Sequence, residues 1–67
     1  MKLIVNGEEK YITSQMTVEN FLLELGLDPK KVAVERNLEI VPKSEFSSQL
    51  LEEEDKLEIV HFIGGGL

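Results

Sequence analysis

The stretch Thr17-Val18-Glu19-Asn20-Phe21-Leu22-Leu23-Glu24-Leu25-Gly26 decides the architecture. Val18, Phe21, Leu22 and Leu25 recur at i, i+3, i+4 and i+7, so they share one face of an amphipathic helix. Thr17 stands where an N-cap is needed, and Glu19 falls in the first turn, where the free amide ends favour negative charge. Met16 is placed to pack against Phe21 across the cap, and Gly26 to close the helix in a left-handed conformation. One helix with one apolar stripe needs a surface to cover, and the flanking sequence supplies strands.

On the N-terminal side, residues 2–6 alternate as a strand, and Asn6-Gly7 is a strong hairpin signal because both residues tolerate positive φ. A second strand is expected over about 9–13. On the C-terminal side, Asp28-Pro29 makes a connection, Val32-Ala33-Val34-Glu35-Arg36 reads as a third strand, and Glu39-Ile40-Val41 as a short fourth one ended by Pro42. Residues 44–51 allow a brief helical turn. Glu52-Glu53-Glu54-Asp55 reads first as a solvated turn, with an electrostatic docking patch as its functional reading. Residues 56–63 form the last strand, and Gly64-Gly65-Gly66-Leu67 follow it. This order predicts an α+β chain of the β-grasp, ubiquitin-like type: a mixed sheet of four to five strands wrapped on one helix, in which the helical connection carries the chain past the first strand. The expected division is a domain over 1–63 and a flexible glycine-rich tail over 64–67.

Composition narrows the function. With 67 residues the chain has room for one domain, and one that buries only about 60% of its unfolded surface, so a deep internal active site is not expected. Hydrophobic residues make up 42% and charged ones 30%, the balance of an ordinary soluble domain with no membrane-spanning run. The opening lacks the pattern of a signal peptide, which predicts a cytoplasmic location. There is no cysteine, hence no disulfide, zinc-thiolate site or thiol nucleophile. A net charge of −6 opposes nucleic acid and anionic membranes and favours partners with basic faces. His61 is the sole histidine, and Ser14, Ser44, Ser47 and Ser48 have no evident activating base. His61 is therefore read as a structural residue, with no catalytic or metal site expected on this chain.

The tail remains. Three consecutive glycines cannot add to a core and carry maximal backbone freedom. They suit either a floppy terminus or a main chain that threads a narrow channel in another enzyme and presents its carboxylate there. Placement directly after the final strand of a β-grasp is where ubiquitin-like proteins carry reactive glycines.

Two stretches carry a more specific likeness: Val34-Glu35-Arg36-Asn37-Leu38-Glu39-Ile40-Val41-Pro42-Lys43, and Leu57-Glu58-Ile59-Val60-His61-Phe62-Ile63-Gly64-Gly65-Gly66. With the opening Val5-Asn6-Gly7 and the short length, the chain resembles the thiamine-biosynthesis sulfur carrier family more than the related molybdopterin synthase small subunit. The resemblance implies a carrier, not an enzyme. A ubiquitin-activating-like adenylyltransferase activates the terminal glycine carboxylate with ATP, a persulfide donor supplies sulfur, and the resulting thiocarboxylate passes its sulfur to thiazole synthase. No cofactor is expected on the carrier itself, since the ATP is used by the partner. Sulfur attachment falls on Gly66, with Gly64 and Gly65 as the threading segment. Two readings stay beside this one: a carrier for another pathway, such as molybdopterin or tRNA thiolation, and a non-conjugating ubiquitin-like binding module.

Strand parity adds a docking expectation. If Leu57 and Ile59 face the helix, Val60 and Phe62 lie outside, joined by Ile4 if Leu3 and Val5 point inward. Ile4, Val60 and Phe62 would then make an apolar interface patch, unless curvature of the sheet buries Phe62 against a loop. Two positions depart from the family pattern. Leu38 occupies a turn where glycine or a polar residue is easier. Leu67 follows the glycines although a free glycine carboxylate is required, so it is expected to be an appended residue or one removed in the cell, the chargeable species ending at Gly66.

Overall fold

A computed structural model describes residues 1–62. Its five strands are β1 (Lys2–Val5), β2 (Glu8–Tyr11), β3 (Val32–Arg36), β4 (Glu39–Ile40) and β5 (Lys56–His61), with one helix, α1 (Val18–Glu24), between β2 and β3. The sheet order is β2-β1-β5-β3-β4. β1 runs parallel to β5, while the β1/β2, β3/β5 and β3/β4 pairs are antiparallel. The last strand therefore lies at the centre of the sheet, between the first and the third, as the β-grasp topology requires.

Both hairpins turn on two residues of positive φ, as hairpin turns matched to strand twist demand. Asn6 and Gly7 (φ 50° and 83°) join Val5 to its register partner Glu8, and Asn37 and Leu38 (φ 53° and 72°) join Arg36 to Glu39. Because the first turn takes only two residues, pairing resumes at Glu8, one residue before the expected strand, and it ends at Tyr11, two residues short of it.

The helix is capped at both ends. The Thr17 hydroxyl accepts a bond from the Asn20 amide at 3.1 Å. The Val18 and Glu19 amides donate to the carbonyls of Gln49 and Phe46, both at 2.9 Å, so the loop over 46–49 satisfies the helix start. At the other end Gly26 (φ 79°) donates to the Leu23 carbonyl and Leu27 to that of Leu22, both at 3.0 Å, a Schellman closure. Val18, Phe21 and Leu22 of α1 pack into one core with Leu3 and Val5 of β1, Val32 and Val34 of β3, and Leu57 of β5. Phe46 and Leu51 complete it from the connection before β5. That connection holds a short 3-10 turn, Lys43–Glu45, where a helical turn over 44–51 is predicted.

Candidate functional site

β5 is the strand from which the glycine run continues, and several elements hold it. The Asn6 side chain extends the short parallel ladder beyond Val5: its Oδ1 accepts from the Ile59 amide at 2.8 Å, and its Nδ2 donates to the Ile59 carbonyl at 3.2 Å. Asn37 braces the start of β5 from the β3 side, where its Oδ1 accepts from the Lys56 amide at 3.0 Å. At the C-terminal end the Phe62 amide donates to the Lys31 carbonyl at 2.9 Å. Each hairpin asparagine thus both makes its turn and fastens the central strand.

Just before β5 lies the one buried charged residue among those described. Asp55 is 5% exposed. Its Oδ2 accepts from Arg36 Nε at 2.7 Å and from the Glu52 amide at 2.8 Å, while its Oδ1 accepts from Asn37 Nδ2 at 3.0 Å. Its carbonyl accepts from the Ile4 amide at 2.9 Å. Burial pushes the carboxyl pKa up, but the three donors outweigh it and hold it below the ordinary aspartate value. The solvated-turn reading of residues 52–55 is corrected here: Glu52, Glu53 and Glu54 are exposed, and Asp55 instead locks β1, the β3/β4 turn and β5 together.

On the outer sheet face, away from α1, Val60 is 60% exposed and Phe62 37%, while Leu57 is buried and Ile59 half-buried against the core. Ile4 is half-buried on the same face, but its register partner on β5 is Lys56. That position lies four places before Val60, about 13 Å along the strand. The neighbours of Val60 are Ala33, its register partner on β3, and Ile40 of β4, which pairs with Glu35 of β3. These residues, with Glu35 and Glu58, line a shallow depression of about 200 Å³. Glu35 and Glu58 are direct cross-strand partners, a like-charge pair at its centre. Phe62 is partly covered, because Lys43 Nζ stands 4.5 Å from its ring centroid. His61 is exposed, at the register position of Val32.

The residues expected to carry the chemistry, Gly64, Gly65 and Gly66, lie outside the described residues, as do Ile63 and Leu67 and the expected boundary at 63. Sequence reasoning passed over three groups that the structure brings to β5: Asp55 with Arg36, Asn37 as a brace, and Lys43 beside Phe62. The Asn-x turn flanked by an apolar strand was the available signal for Asn37; Asp55 and Lys43 depend on contacts between distant segments. Among the described residues no helix is long and apolar enough to cross a membrane, and no group of three or more His, Cys, Asp or Glu side chains is arranged to hold a metal.

A family model described as the ThiS family matches residues 3–66. The chain belongs to the ThiS family. It is 40% identical over 65 residues to the sulfur carrier protein ThiS of Bacillus subtilis, covering 96% of this chain and 98% of that one. A crystal structure of a thiamine biosynthesis protein (ThiS) from Geobacter metallireducens superposes with a TM-score of 0.84 at 29% identity, over 98% of this chain and all of that one. A thiazole synthase of Paramagnetospirillum magneticum is 62% identical over 66 residues, 98% of this chain. The chain spans only 20% of that synthase's length. As a ThiS-family member the chain has the β-grasp predicted from its element order.

Proposed function

We propose that this chain is a sulfur carrier of thiamine biosynthesis that is charged at the Gly66 carboxyl and delivers its sulfur to thiazole synthase. The observation that carries the reading is the position of the glycine run. Only Phe62 and Ile63 separate it from the central, doubly flanked strand of a ThiS-family β-grasp, so a segment without side chains is tethered close to a firmly held base. Support for the pathway comes from a relative named as a sulfur carrier and another named as a thiazole synthase.

The chemistry follows from the reactivity of a carboxylate. Its oxygen attacks the α-phosphorus of ATP on a partner adenylyltransferase and pyrophosphate leaves. The terminal sulfur of a persulfide attacks the acyl-adenylate carbonyl and expels AMP. A thiol then cleaves the acyl disulfide, giving the thiocarboxylate and a disulfide. Adenylation supplies the leaving group that a carboxylate lacks, and the thiocarboxylate is the better nucleophile for thiazole synthase. Gly64 and Gly65 give the main chain a side-chain-free approach to the partner's channel. Val60 and Phe62, with Ala33 and Ile40 beside Val60, offer the apolar contacts on the outer face, and the Glu35/Glu58 pair favours a basic partner surface.

The test is to incubate a chain ending at Gly66 with ATP, the adenylyltransferase and a persulfide donor, and to measure its intact mass. Exchange of one oxygen for sulfur, followed by its loss on adding thiazole synthase and the sugar-phosphate substrate, is the expected course. Failure to convert with an enzyme active on its own carrier contradicts the reading. Conversion without transfer to the synthase directs the carrier to another pathway.

A further inference from the structure

The last described residue before the tail is held by a contact whose parts come from three separate segments. Lys43 Nζ lies 4.5 Å from the Phe62 ring centroid and donates to the Lys30 carbonyl at 2.8 Å. The Phe62 amide donates to the neighbouring Lys31 carbonyl at 2.9 Å. Both anchors of the lysine are themselves fixed. Pro42, with φ −61°, sets the backbone ahead of Lys43, and the Val41 amide donates to the Val34 carbonyl at 2.9 Å. On the other side Asp28 Oδ1 accepts from the Lys30 amide at 2.9 Å, and its carbonyl from the Lys31 amide at the same distance. Lys43 thus links the Phe62 ring to the same turn that holds its amide.

We propose that Lys43 is a positioning residue for the tail reaction: its ammonium pins Phe62 against the 29–31 turn and so fixes the direction in which the chain leaves the sheet. The proposal rests on the carrier reading, in which Gly66 must reach a partner's active site. Gly66 is four residues beyond Phe62, a reach of at most about 14 Å, so the position of Phe62 sets the centre of the volume that the carboxylate can search. A clamp raises the fraction of molecules in which the tail starts from the productive position. Apparent affinity falls in proportion when that fraction falls. Arginine preserves both the charge over the ring and the donor to Lys30; glutamine keeps a donor and removes the charge.

The test combines a structural readout with a kinetic one. Amide ¹⁵N relaxation is measured on the wild type, Lys43→Gln and Lys43→Arg, and each chain ending at Gly66 is assayed for adenylation. In Lys43→Gln the order parameter of the Phe62 amide falls from the rigid range of about 0.85 toward about 0.6. KM for the carrier rises about two- to fivefold, the size of an exposed cation–π contact, with kcat unchanged. Lys43→Arg restores both, and Phe62→Leu reproduces the glutamine phenotype without adding to it in the double variant. An unchanged Phe62 order parameter overturns the clamp, and so does an unchanged KM when the wild type is a good substrate. A wild type that is not adenylated overturns the carrier reading and the positioning role together, a result distinct from either of those.

Discussion

At the scale of single residues, Asp55 and Leu38 make opposite contributions. Asp55 is buried with a full set of donors, so Asp55→Ala leaves the Arg36 guanidinium without its partner beneath the β3/β4 turn. The expected loss is about 2–3 kcal/mol, read by urea or thermal unfolding. Because the folded state holds this carboxyl below its ordinary pKa, its contribution is complete above the usual aspartate range and disappears as pH falls through the lowered value. Asp55→Asn should therefore flatten the acid side of the stability profile below about pH 4; a profile parallel to the wild type contradicts this. Leu38 carries φ 72° while 90% exposed, a conformation that a side chain disfavours and no packing rewards. Leu38→Gly should raise stability by about 0.5–1 kcal/mol in the same unfolding measurement. The turn was legible from Asn37 and from the oddness of leucine after it. Asp55 was not, because in a run of four acidic residues nothing local marks the one that meets an arginine 19 positions earlier.

Among the elements, α1 was readable because its signals are local. Thr17, the apolar spacing and Gly26 each sit within the helix or no more than two residues from it, and the caps form as their chemistry requires. Thr17→Ala should cost about 1 kcal/mol, measured by thermal unfolding, since it removes the acceptor for the Asn20 amide. β2 was harder. All four of its residues are exposed, so apolar alternation could not set its limits, and the two-residue turn did. The connection before β5 was least legible: the carbonyls of Phe46 and Gln49 serve the start of α1 from nearly 30 residues downstream, a pairing with no counterpart in local sequence pattern.

For the molecule as a whole, element order sufficed to give the β-grasp class, since a hairpin, a helical crossover and a returning strand leave few right-handed arrangements; the central place of β5, between β1 and β3, comes from the strand pairing. Parity also sorted the β5 residues into two faces, and the burial of Leu57 shows which set turns inward. Parity could not give register, which sets Ile4 beside Lys56 and brings Ala33 and Ile40 to Val60 instead. Val60→Asp should weaken binding to the adenylyltransferase about tenfold, measured by calorimetry, while leaving the unfolding midpoint unchanged; equal affinity removes this face from the interface. The central claim is that a braced β-grasp presents one reactive group, the carboxyl of Gly66. It is tested most directly by fragmenting the charged chain in a mass spectrometer and locating the sulfur. The account predicts sulfur solely on the Gly66 carboxyl, and none acquired by a chain lacking the three glycines. Sulfur on any other residue, or charging that survives their deletion, would contradict it.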